Sequence, residues 1–208
     1  MSAGDRLKDN LPTIGVAVLL AVGVRWFVAE PRYIPSSSME PTLQIDDRLI
    51  IEKLSYYFRK PSRGEIVVFN PPPNPAVDDT SKVYIKRVIG LPGDRISIQE
   101  GKVHVNGKAL KETYIKDPQE MPEKPDYSLP SLNDRCVECF QPSTIVQDGG
   151  MPSFVVPPGK YWVMGDNRKN SQDSHVWGFL PQENIVGRAY FRYWPFDRRT
   201  GELITPQY

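Results

Sequence analysis

An apolar run from Leu11 to Ala29, interrupted only by Thr13 and Arg25, constrains this chain more than any other stretch. As a helix it is roughly 28 Å long at about 1.5 Å per residue, close to a hydrocarbon core of about 30 Å. It is apolar all round, which suits lipid better than the one-sided burial of a soluble helix. Arg25 lies near its far end, where its stem can snorkel, and Trp26 suits the headgroup level. A cleavable signal sequence has a shorter apolar region and a small-x-small cleavage site, which Val28-Ala29-Glu30-Pro31-Arg32 does not offer. The run therefore reads as an uncleaved anchor over 11–29 behind a short polar tail, 1–10. Arg6 and Lys8 on one side balance Arg32 and Arg48 on the other, so charge alone leaves the orientation open.

The chain beyond the anchor has to fold outside the bilayer, and its composition points to strands. The 21 prolines and 15 glycines favour many turns over long helices. With 26 basic against 25 acidic residues, the chain has no electrostatic case for nucleic acid. Apolar and alternating patterns predict strands over Arg48–Lys53, Ile66–Phe69, Val83–Gly90, Ile96–Ile98, Lys102–Val105, Phe154–Val156, Tyr161–Met164 and Ile185–Trp194. Asn106-Gly107 and Glu100-Gly101 supply turns. Residues 70–79 hold four prolines and read as a loop. Residues 117–152, polar and rich in Pro, Ser and Asp, read as an inserted loop or cap. The fold class is mostly β: one N-terminal membrane helix, then a β-rich core with a smaller β cap.

Three features in this background carry chemistry. Ser36-Ser37-Ser38 stands between Pro35 and Pro41, a few residues past the anchor. The prolines rule out a helix interior and make the segment extended and stiff, so it can hold a small hydroxyl near a membrane. A polar linker is the other reading. Lys86 interrupts an otherwise apolar strand. Desolvation would lower its pKa and make a usable general base; a solvent-facing lysine is the alternative. Residues 165–178 are dense in polar groups and suit either a solvated loop or a shell that orients a base. A triad would need one of two histidines: His104 in a short hairpin strand, or His175, close to Asp166 and Asp173. Two histidines and two cysteines at these positions do not give metal-ligand spacing.

Four blocks together resemble the type I signal peptidases, membrane-anchored Ser/Lys proteases. They are Pro35-Ser36-Ser37-Ser38-Met39-Glu40-Pro41-Thr42-Leu43; Asp47-Arg48-Leu49-Ile50-Ile51-Glu52-Lys53; Tyr84-Ile85-Lys86-Arg87-Val88-Ile89-Gly90-Leu91-Pro92-Gly93-Asp94; and Gly165-Asp166-Asn167-Arg168 through Asn170-Ser171, Asp173-Ser174 and Trp177-Gly178. They occur in the family's order behind one span. The resemblance implies Ser38 as nucleophile and Lys86 as general base. Ser36 and the Ser38 amide would form the oxyanion hole. Ser171 would orient the lysine amine, Asp166, Arg168, Asp173 and Arg87 would support the site, and Met39 would pack beside it. His175 stands where many members carry Arg.

The resemblance also implies a cytoplasmic N-terminus, an extracytoplasmic (periplasmic) peptidase domain over 30–208, signal-peptide-bearing preproteins as substrates, no cofactor and no obligate protein partner. A thylakoid membrane is the alternative location. On the exported side Cys136 and Cys139 read as a structural disulfide; a redox motif lacks its βαβ context. Two other functions stay open: a non-catalytic membrane-anchored β binding module, and an organelle inner-membrane processing peptidase. Self-cleaving Ser/Lys proteins of the repressor type are soluble, and the anchor argues against them.

Overall fold

In a computed structural model the described residues are 3–74, 76–77, 79–99, 101–115, 140, 142–148, 151–196 and 200–203. The chain opens with a helix, α1 (Ala3–Phe27), longer at its start than the apolar run. Residues 10–27 are long and apolar enough to cross a membrane, and none of that window is buried inside the protein. Pro12 falls inside α1 rather than at its first turn.

Among the described residues thirteen strands come next: β1 (Ala29–Tyr33), β2 (Arg48–Glu52), β3 (Ile66–Phe69), β4 (Tyr84–Gly90), β5 (Arg95–Gln99), β6 (Lys102–Val105), β7 (Lys108–Ala109), β8 (Ile145–Asp148), β9 (Met151–Val155), β10 (Lys160–Met164), β11 (Leu180–Pro181), β12 (Ile185–Trp194) and β13 (Gly201–Glu202). They form two antiparallel sheets. The larger runs β1-β2-β12-β3-β4-β10-β11, with β13 beside β12; the smaller runs β7-β6-β5-β9-β8. The predicted core and cap are thus both present. The apolar runs at Ile66 and Ile185 become strands with the predicted bounds. β1 is not among the predicted strands, because Pro31 sits inside it; as an edge strand it needs fewer ladder bonds. The described part of 117–152 supplies β8 and the start of β9, so that end of the segment is sheet rather than loop.

The described residues also form two one-turn helices, α2 (Ser55–Phe58) and α3 (Ser174–Trp177). Their side chains gather into three apolar clusters. One, with Trp162, Phe154, Phe140, Phe179, Ile89 and Ile96, joins the two sheets. A second, with Met39, Leu43, Leu49, Ile51 and Ile85, lies under the serine segment. The third packs Trp177 and Tyr161 on Val67, Phe69 and Val88. β4 is therefore buried on both faces, which places Lys86 between two apolar clusters rather than at a surface.

Lys53 ties the helix to the sheets. Its Nζ pairs with Glu30 Oε2 at 2.8 Å and donates to the Arg25 and Trp26 carbonyls at 3.2 and 3.5 Å. These are carbonyls of the last helical turn, where a cation is favoured.

Candidate active site

The serine segment forms one 3₁₀ turn, Ser37–Met39, flanked by extended Ser36 and Glu40. This corrects the wholly extended reading. Pro35 and Pro41 bar a longer helix, yet a single turn between them asks neither for an N–H. Met39 and Leu43 are fully buried beneath it, and Ile34 is nearly so. The far end is held by Asp47, which accepts from Gln44 N–H at 2.9 Å and from Arg192 Nη1 at 3.3 Å, while Ile34 N–H donates to the Asp47 carbonyl at 2.8 Å. The turn is a rigid platform, which a serine needs if its hydroxyl is to react from a fixed place.

Lys86 reaches that platform from β4. Its Nζ donates to Ser38 Oγ at 2.8 Å and to the Ile85 carbonyl at 3.0 Å. Both side chains are buried, Ser38 at 8% and Lys86 at 4% exposure. Burial pushes the amine down to about 8, against the pull of the Asp173 and Asp166 carboxylates, which favour the charged form. Ser36 Oγ lies 3.5 Å from Ser38 Oγ, so two hydroxyls and one amine converge.

The loop after β10 clamps this arrangement. Asn167 N–H donates to the Ser38 carbonyl at 3.0 Å, Asn167 Nδ2 to the Ser37 carbonyl at 3.1 Å, and Asn170 Nδ2 to Ser37 Oγ at 2.8 Å. Gly165 lies so close that an added Cβ would overlap the Ser38 carbonyl oxygen and the Ser171 side chain. Its lack of a side chain is a steric requirement here. No individual role for Asn167, Asn170 or Gly165 is readable from the sequence; an Asn that clamps a buried turn carries no signal until the turn is located.

Supporting residues fall into three groups. Arg87 grips Asp166 with two hydrogen bonds and also donates to the Gly64 carbonyl at 2.7 Å. Arg168 donates to the Gly165 carbonyl at 3.1 Å and pairs through both Nη atoms with Glu112. Glu112 gives no sequence signal, because it lies in a polar stretch with no periodic pattern. Asp173, fully buried, accepts Gly165 N–H at 2.8 Å, Ser171 Oγ at 2.5 Å, and His175 through Nδ1 at 2.6 Å and N–H at 3.2 Å. Burial alone would raise its carboxyl; His175, Ser171 and Gly165 outweigh that and hold it low.

Ser171 and His175 both make their described bonds to Asp173. Ser171 gives its hydroxyl to Asp173, the stronger acceptor, and the described bonds of Lys86 Nζ go to Ser38 and Ile85. His175 turns to Asp173, while the side chain bonded to Ser38 Oγ is the Lys86 amine. His104 is on β6 of the smaller sheet, its Nδ1 against the Lys102 carbonyl. Cys136 and Cys139 lie outside the described residues.

A two-sheet β fold carrying a buried serine hydroxyl against a buried amine is an arrangement that serine hydrolase chemistry can use. The comparisons with known proteins narrow it. A sequence model of the family described as "Signal peptidase, peptidase S26" matches residues 7–194. The chain is 50% identical over 186 residues to "Probable signal peptidase I-2" of Synechocystis sp., covering 89% of this chain and 72% of the relative. It is 44% identical over 209 residues to "Signal peptidase I" of Leptolyngbya laminosa, covering 98% and 87%. It is 39% identical over 184 residues to "Thylakoidal processing peptidase 1, chloroplastic" of Arabidopsis thaliana, covering 86% and 46%. The chain belongs to the signal peptidase family, peptidase S26. It is a serine endopeptidase of the kind that removes signal peptides.

Proposed function

We propose that Ser38 is the nucleophile and Lys86 the general base of this peptidase. The observation that carries the reading is the 2.8 Å contact between Lys86 Nζ and Ser38 Oγ inside an apolar setting. Once Lys86 is neutral the same contact carries the proton the other way, from Ser38 to the amine. Ser38 Oγ then attacks the carbonyl at the end of the signal peptide, and the negative charge on the carbonyl oxygen is met by the Ser38 amide and the Ser36 hydroxyl. Lys86 passes its proton to the leaving amine as the C–N bond breaks. Water, deprotonated by the same amine, then cleaves the acyl ester and frees Ser38. Asp166, Arg168, Asp173, Arg87, Ser171 and Met39 hold the parts in place.

In this reading α1 is a membrane anchor with its N-terminus cytoplasmic, and residues 30–208 form the peptidase domain on the extracytoplasmic face. Enzyme and preprotein share one bilayer surface, and cleavage falls after an extended segment with small side chains at the first and third positions before the cut. The likeness to a thylakoidal processing peptidase supports a thylakoid membrane as the second location.

The test is cleavage of a detergent-solubilised preprotein by wild type, Ser38→Ala and Lys86→Ala. Cleavage after a small-x-small motif by wild type alone is the expected result. Retained cleavage in Lys86→Ala, lost in His175→Ala, would replace the dyad with a triad. Equal cleavage by all three proteins would overturn the dyad.

A further inference from the structure

The Ser38/Lys86 mechanism leaves one titratable side chain of the site without a task. His175, at the second position of the short helix α3, points its Nδ1 at a carboxylate that is itself buried and wired to the dyad's surroundings. The two oxygens of Asp173 divide their work. Oδ1 takes both donors of His175, the ring Nδ1 at 2.6 Å and the backbone N–H at 3.2 Å. Oδ2 takes Ser171 Oγ at 2.5 Å and Gly165 N–H at 2.8 Å. Gly165 in turn lies against the Ser38 carbonyl. A hydrogen-bonded path thus runs from the half-buried imidazole, through one carboxylate, to the backbone beside the nucleophile.

The same carboxylate acts on Lys86 through space. Among the charges around the amine, Asp173 pulls hardest toward the protonated form, ahead of Asp166. The remaining charged groups of the cluster are already matched: Asp166 by Arg87, and Arg168 by Glu112. The strands packed near α3 add little. β10 carries one charged side chain, Lys160 at its first position, and β3 carries none. Lys169, in the loop before α3, is a further cation of that segment. Asp173 is therefore the charge of the cluster whose balance falls to a histidine.

Resting on the Ser38/Lys86 reading, we propose that His175 is a positioning residue: by holding Asp173 it sets how readily Lys86 gives up its proton, and so the pH at which the peptidase becomes active. A donor on Oδ1 spreads and offsets the carboxylate charge that Lys86 feels. A permanent cation there would offset it further, and an apolar group would leave it uncompensated.

The experiment is the pH profile of kcat/KM for the full chain in detergent with a preprotein substrate, comparing wild type with His175→Arg, His175→Asn and His175→Ala. Asn places an amide nitrogen as many bonds from Cα as Nδ1, so it restores the donor without the ring. The expected order of the acidic limb, from low pH to high, is Arg, then wild type and Asn together, then Ala. The outer two are expected to lie about half a pH unit from wild type. A purely structural role would lower kcat and melting temperature without ordering the limbs. Coincident limbs in Arg, Asn and wild type would overturn the proposal, and this comparison suffices if the Ala variant does not fold. Ser38→Ala and Lys86→Ala are run alongside. If either still cleaves, the dyad reading has failed; if both are dead while the limbs coincide, only the role of His175 has failed.

Discussion

Arg87 donates to both oxygens of Asp166, at 2.8 and 2.6 Å, with 2% and 0% of the two side chains exposed. The pair bridges β4, at the position after Lys86, and the loop that clamps the serine turn. Removing one partner of such a pair strands a charge away from water, so Arg87→Ala should destabilise the fold by about 3–5 kcal/mol. Asp166→Asn, which keeps the shape and an acceptor oxygen, should cost less. Chemical denaturation of both variants checks the order.

Gly165 predicts a different kind of loss. A methyl there meets the Ser38 carbonyl oxygen and the Ser171 side chain, so the turn and the loop must separate. Displacements of about 1 Å cost on the order of 100-fold in rate. Gly165→Ala should therefore lose activity by roughly that factor while its circular dichroism stays that of the wild type. Steady-state kinetics beside spectra decide it.

The Lys86 amine is held down to about 8 from its ordinary 10.5 by burial. Only its neutral form accepts a proton, so kcat/KM should rise with pH through about 8 and level off above. The same shift has a stability consequence with a fixed sign. The folded chain releases this proton more readily than the unfolded chain, so the penalty is complete below about 8 and fades as pH rises toward 10.5. Lys86→Met should stabilise the fold at pH 7 by about 1–3 kcal/mol and remove that pH dependence. Thermal melts at pH 7 and 10 measure both.

In the proposed mechanism Ser36, whose Oγ lies 3.5 Å from Ser38 Oγ, helps hold the developing oxyanion. Ser36→Ala should lower kcat by about 10²–10³-fold with little change in KM, as expected for a contact strengthened in the transition state. A matching rise in KM would assign Ser36 to substrate binding instead.

Asn170 reaches Ser37 Oγ from an exposed position. Its single neutral bond is worth about 0.5–1.5 kcal/mol. Asn170→Ala should cost no more than that in stability and should soften the serine turn, seen as faster amide exchange at Ser37 and Ser38.

Much of this chain is legible in one dimension. The long apolar run at Leu11 and the short, turn-bounded runs at Arg48, Ile66 and Tyr84 each become the helix or strand that their length and flanks require. Ser38 and Lys86 are conspicuous because each breaks a local rule: hydroxyls crowded between prolines, and a charge inside an apolar strand. Boundaries are less legible. Pro31 hides an edge strand, and the two prolines that flank the serines conceal a single turn between them.

Pairings were decided only by the tertiary fold. The residue types at 38, 86, 166 and 173 mark where polar chemistry must be buried, but local propensity says nothing about contacts between residues far apart in the chain. Packing β4 between two strands brought Lys86 to Ser38, placed Asn167 and Gly165 against the serine turn, and set Arg87 against Asp166. The physical reason is that burial selects partners. Once water is excluded, each donor and acceptor must be satisfied by what the fold brings within about 3 Å, and only the fold determines which groups those are.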